Sequence, residues 1–147
     1  MRAFGLNDSI GTRLALGNGV LLLALILVTS GVFYFGTVGV LSSNVDATNS
    51  VSPTCTNGTP YNVGLNQGLN GASVTTRQMS AGAARVSYSL FRDSGRTLNW
   101  GNTVGTDTVA GTGAGSAQGL TVYGRISPQG TPAPGVYNDT IVVTVTY

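Results

Sequence analysis

Lysine, glutamate and histidine are absent from this sequence; its 7 cations are all arginine and its 5 anions all aspartate. Without an imidazole, neither a Ser-His-Asp nor a Cys-His arrangement can move a proton near neutral pH. Without lysine, no glycine-rich loop can be completed into a Walker phosphate site. A carboxylate pair for glycoside cleavage would have to come from Asp8, Asp46, Asp93, Asp107 and Asp139. Asp8 lies in the N-terminal leader, and the others read as turn residues that accept local backbone hydrogen bonds. Transition metals require His or Cys clusters, and no calcium-loop motif is present. The inventory points to a protein that is not an enzyme and carries no cofactor or metal.

Cysteine is nearly absent too. Cys55 stands alone, so no intramolecular disulfide can form, and a buried inert thiol is its default reading. Charged residues make up 8% of the chain and sum to +2, too little to imply a nucleic-acid partner. Arg77, Arg85, Arg92, Arg96 and Arg125 read as solvated strand edges rather than one basic patch.

What the chain does have is 41% apolar residues, enough for 147 residues to fold as one domain rather than stay disordered. The N-terminus differs in kind from the rest. Arg2 and Arg13 precede an apolar run at residues 20–28 (VLLLALILV), followed by Thr29, Ser30 and Gly31. A positive leader, a short apolar centre and small residues match a secretory signal peptide. The run is short for a membrane helix. Three readings stay open for it: a cleaved signal, an uncleaved membrane anchor, or a strand of the domain. The organisation expected is a signal or apolar segment over 1–31 and a β domain over 32–147.

Beyond about Phe33 the apolar period becomes two, which marks strands with one buried face. Tyr61, Val63 and Leu65 alternate with polar or small residues, as do Val86, Tyr88 and Leu90, and Leu120, Val122 and Ile126. At the C-terminus Tyr137, Ile141, Val143, Val145 and Tyr147 share a face, with Asp139 and Val142 as exceptions; this reads as the longest strand. Asn57-Gly58, Asp93-Ser94-Gly95, Pro128-Gln129-Gly130 and Pro134-Gly135 punctuate the runs as turns. The glycine-rich segment 111–119 reads as a flexible loop. Short, evenly spaced strands of this kind favour a sandwich. Asn57-Gly58-Thr59 and Asn138-Asp139-Thr140 match glycosylation sequons but are more simply turn and strand residues. Trp100, Tyr123 and Tyr137 are candidates for carbohydrate stacking, weighed against the commoner role of aromatics in a core.

Four ordered motifs carry a resemblance. They are Cys55-Thr-Asn-Gly-Thr-Pro-Tyr-Asn-Val-Gly-Leu65; Tyr88-Ser-Leu-Phe-Arg-Asp93 with Arg96 and Trp100-Gly101; Val122-Tyr-Gly-Arg-Ile126; and Pro134-Gly-Val-Tyr-Asn-Asp-Thr-Ile-Val-Val-Thr-Val-Thr-Tyr147. Together they resemble the spore coat protein U domain, a family that includes pilins of the archaic chaperone-usher pathway. The resemblance implies an all-β, immunoglobulin-like sandwich that lacks its last strand. It implies a structural subunit exported through the periplasm of a Gram-negative bacterium to the cell surface. A periplasmic chaperone, an usher and neighbouring subunits would be its partners, with no nucleic acid, and a membrane contact only through an uncleaved N-terminal segment. Assembly would be non-covalent, a neighbour's strand filling the open groove. The expected groove residues are Phe35, Val38 and Val40 on the first strand and Ile141, Val143, Val145 and Tyr147 on the last. Family members carry an upstream cysteine that pairs with the equivalent of Cys55; this chain has none. The alternative within the resemblance is a tip adhesin or stand-alone coat domain that binds a carbohydrate or surface through loops such as Thr103 to Gly119.

Overall fold

The structure, a computed structural model, describes residues 12–17, 20–26, 35 and 40–147. The strands among them are β1 (Thr12–Gly17), β2 (Val20–Ile26), β3 (Val45–Val51), β4 (Pro60–Leu65), β5 (Arg77–Ala81), β6 (Ala84–Phe91), β7 (Val109–Thr112), β8 (Leu120–Ile126) and β9 (Val142–Thr146). They form two antiparallel sheets, ordered β1-β2-β9-β4-β7 and β3-β8-β6-β5, so the expected all-β sandwich is what the chain adopts. No helix among the described residues is long and apolar enough to cross a membrane.

The core lies where the period of two puts it. Tyr61, Val63, Leu65, Val143 and Val145 from one sheet meet Val86, Tyr88, Leu90, Val122 and Ile126 from the other. Each such side chain contributes about 1.5–3 kcal/mol by leaving water. Trp100 fills the space between the sheets at 0% exposure, and its indole N–H donates to the Val63 carbonyl at 2.8 Å. That bond satisfies the one polar atom a buried tryptophan brings.

Arg77 corrects the expectation of a solvated arginine, because it is fully buried. Its guanidinium donates to the carbonyls of Asn66 (2.8 Å), Val74 (2.7 Å), Leu65 (2.9 Å) and Trp100 (2.7 Å). Chain segments that leave the ladder there turn unpaired carbonyls inward, and a five-donor fork is the side chain that can satisfy several at once. Burial lowers its pKa to about 10, still well above neutral.

Three further expectations change. Asp46 is no turn residue but sits in β3, where Arg125 binds it through two bonds of 2.7 and 2.8 Å. Segment 111–119 is not wholly a loop, since Gly111 and Thr112 belong to β7. Glycine is required at 111 because a Cβ there would stand 2.5 Å from Tyr61 Cζ. The longest strand is β6, with 8 residues; β9 has only 5 and begins at Val142 rather than near Tyr137. Upstream of β9, Asn138 exchanges two backbone bonds with Ser80 of β5, at 2.9 and 3.0 Å, so the chain changes sheets between Asn138 and Val142.

Candidate strand-acceptor site

Along an antiparallel strand each residue turns its N–H and C=O to the same side, and neighbours turn theirs to opposite sides. β9 pairs with β4 in the register Asn62↔Thr146, Val63↔Val145, Gly64↔Thr144 and Leu65↔Val143. One step further Asn66 N–H donates to the Val142 carbonyl at 3.1 Å, while Val142 N–H donates to Asn66 Oδ1 at 2.9 Å. Val142 therefore faces β4, and by alternation so do Thr144 and Thr146. Val143 and Val145 aim their backbone groups at the opposite edge.

Addition of a strand to a sheet edge needs apolar side chains that pack beneath it and backbone groups turned toward the newcomer. Val143 and Val145 combine the two properties it needs, side chains buried at 2% and 4% exposure and backbone groups turned outward. At this edge the structure places β2, antiparallel, with Leu25 opposite Val143 and Ile26 opposite Val142. β2 is in turn hairpinned to β1 from Thr12↔Leu25 to Gly17↔Val20. Val20–Ile26, part of the apolar run, forms a strand in the structure.

The other expected groove residues are spread more widely. Ile141 is half-buried and Tyr147 is exposed at 39%. Phe35 is half-buried and meets the Tyr88 ring edge-on at 6.1 Å between centroids. Val40 is exposed at 65%, and Val38 lies outside the described residues. Phe35 packs against the apolar cluster that contains Val143 and Val145.

Cys55 is half-buried, and burial pushes its thiol pKa up, which disfavours the nucleophilic thiolate. It lies against the end of β7, where a Cβ on Gly113 would come within 2.9 Å of Cys55 Cβ. Of the aromatic candidates, Trp100 is core, while Tyr123 and Tyr137 are half-buried. The Arg96 guanidinium lies 5.7 Å over the Tyr123 ring and covers one of its faces. No cluster of three or more His, Cys, Asp or Glu side chains forms among the described residues.

Sequence reasoning missed two polar residues at this site. Asn66 and Asp139 sit on loop and crossover, where no apolar period signals them; the one hint was that Asp139 breaks the alternation of the last strand.

The model of the Spore Coat Protein U domain matches residues 26–144. The chain belongs to the spore coat protein U domain family. It is 36% identical over 115 residues to "Protein U" of Myxococcus xanthus, a match that takes in 73% of this chain and 63% of that protein. The chain thus spans somewhat under two thirds of that relative's length. Membership of the spore coat protein U family is consistent with a coat or pilus structural subunit and with a surface-associated, secreted location. The matched stretch takes in the crossover at Asp139 and most of β9.

Proposed function

We propose that this chain is a structural subunit of a secreted surface fibre or coat, and that it assembles without covalent chemistry by accepting a β-strand on the outer edge of β9. A periplasmic chaperone lends that strand first, at the usher a neighbouring subunit's N-terminal extension replaces it, and the product stands on the surface of a Gram-negative cell. One observation carries the reading: Val143 and Val145 bury their side chains in the core and turn their backbone groups to the outer edge, the edge at which β2 lies. Backbone bonding would give such a contact affinity, and alternate side chains would give it specificity.

The test is electron microscopy of expressing cells with and without this gene, paired with co-expression of the cognate chaperone. Fibres or a coat layer that vanish with the gene, and soluble subunit rescued by the chaperone, are the expected results. A surface unchanged by deletion, or a subunit equally soluble alone, would refute the proposal.

An adhesin reading has one observation in its favour. An open recess of about 520 Å³ lies between β4, β7 and the 92–108 loop, lined by Asn62, Arg92, Leu98 and Thr108 among others. Binding on a glycan array, lost in Leu98→Asp, would support a ligand there.

A further inference from the structure

The segment from Asn138 to Val142 crosses from one sheet to the other, and Asp139 stands at the crossing. Its carboxylate binds groups from three directions. Oδ2 accepts the Tyr88 hydroxyl at 2.6 Å. Oδ1 accepts Leu69 N–H at 2.9 Å, Asn70 Nδ2 at 3.3 Å and Thr140 N–H at 2.9 Å. The backbone of Gly68, at φ +80°, lies so close that a Cβ there would collide with Oδ2. The same loop is fixed a second time by Asn66, whose Oδ1 accepts both Gly68 N–H at 3.0 Å and Val142 N–H at 2.9 Å. Asn66 offers Val142 its side-chain oxygen, while its carbonyl accepts from Arg77 Nε at 2.8 Å.

The crossing fixes where the outer edge of β9 can begin. Upstream of it, both backbone groups of Asn138 are spent on Ser80 in the other sheet. Downstream, the first outward-facing position is Ile141, held between Asp139 and the doubly bonded Val142. A ladder shifted by two residues keeps each side chain on its face, so alternation alone does not exclude the slip and a fixed end helps to define the register.

Resting on the strand-acceptor reading, we propose that Asp139, braced by Tyr88 and Asn66, is a positioning residue that sets the register in which a strand adds to β9. It touches no incoming strand; it holds Thr140 to Val142 so that the edge has one starting point. Removing it leaves the groove apolar and able to bind but lets the added strand slide by two residues.

The experiment reads register directly, on the full chain in a Cys55→Ser background. Ile26→Cys is combined either with Val142→Cys, its partner in the structure, or with Thr144→Cys, two residues away. Position 26 faces 142 in the close, non-hydrogen-bonded type of pair, whose Cα spacing of about 4.5 Å suits a disulfide. The parent should oxidise at 142 in preference to 144. Asp139→Ala should cut that preference about tenfold, the scale of one lost hydrogen bond to a charged group, and Tyr88→Phe should cut it by less. Asp139→Asn, which keeps an acceptor oxygen for Thr140, Leu69 and Asn70, should restore most of it. Emission of Trp100 shows whether the core is intact. An unchanged preference in Asp139→Ala with native Trp100 emission overturns the proposal. If that variant loses its native emission, an unchanged preference in Tyr88→Phe overturns it instead. No cross-link at either position in the parent would remove the strand-acceptor reading itself, an outcome distinct from a cross-link that ignores Asp139.

Discussion

Asn66 and Val142 meet twice, once through a backbone bond from Asn66 N–H at 3.1 Å and once through Asn66 Oδ1 at 2.9 Å. Because Val142 spends both of its backbone groups on Asn66, the residue after it must turn outward. This is how a loop asparagine determines which face of the last strand is offered to a partner.

A charge at Val143 should abolish assembly. Val143→Arg or Val145→Arg would bury an unpaired cation at positions now 2% and 4% exposed, at a cost of several kcal/mol. Thr144→Arg, on the half-buried outer face, should assemble almost normally. Fibre yield from cells expressing each variant checks the contrast; equal yields would mean that the groove is elsewhere.

Arg77→Ala should be among the most damaging single substitutions. It leaves four inward carbonyls without their donor, and even one buried unsatisfied group costs about 1–3 kcal/mol. Arg77→Lys should recover only part of the loss, since an ammonium has three donors and no planar fork. Urea unfolding followed by Trp100 emission measures both.

The clamp on the edge strand β3 should fail only in acid. Arg125, by its hydrogen bonds, and Arg96, by its charge, hold the Asp46 pKa below its ordinary 3.8. A carboxylate lowered in the folded state contributes stability that is complete above about pH 4 and disappears as pH falls through the lower, folded value. Asp46→Asn should therefore lower Tm slightly and equally at pH 5 and pH 7, by the amount of a surface pair of about 0–1 kcal/mol, and at pH 3 the gap to the parent should be narrower than at pH 5. Thermal unfolding at the three pH values decides this.

Two glycines should respond differently to alanine. Gly111→Ala drives a methyl into the Tyr61 ring, whose Cζ lies 2.5 Å from the Cβ position, and should cost about 1–3 kcal/mol through overpacking. Gly58→Ala meets nothing within 4 Å but must hold φ +81°, a penalty of about 1–2 kcal/mol from backbone strain alone. In a Tyr61→Leu background, which removes both Cζ and the hydroxyl, the cost of Gly111→Ala should shrink while that of Gly58→Ala stays unchanged. Urea unfolding of the single and double variants measures each cost.

Much of the sandwich was legible in the sequence because its central strands bury one face each. The alternation at Tyr61 to Leu65, Val86 to Leu90 and Val122 to Ile126 is that of β4, β6 and β8. The edge strands carried no such signal. β3 exposes Asp46, Thr48 and Ser50, β5 opens on a buried arginine, and β7 is four residues with a glycine. The C-terminal run looked longer than β9 because period-two alternation continues through a segment that changes sheets, and side-chain pattern does not record which sheet the backbone bonds to. For the site, Val143 and Val145 could be read from periodicity, whereas Asn66 and Asp139 act through loop geometry that only the folded chain brings together.

Amide hydrogen exchange along β9 tests the central claim most directly, by comparing the intact chain with one lacking residues 1–34. Protection at Val142 and Thr144, which face β4, should survive the deletion, while protection at Val143, which faces Leu25 of β2, should fall steeply and return when an intact neighbouring subunit supplies a strand. Equal protection of all three amides in the shortened, unassembled chain would show an edge already closed and would contradict the account.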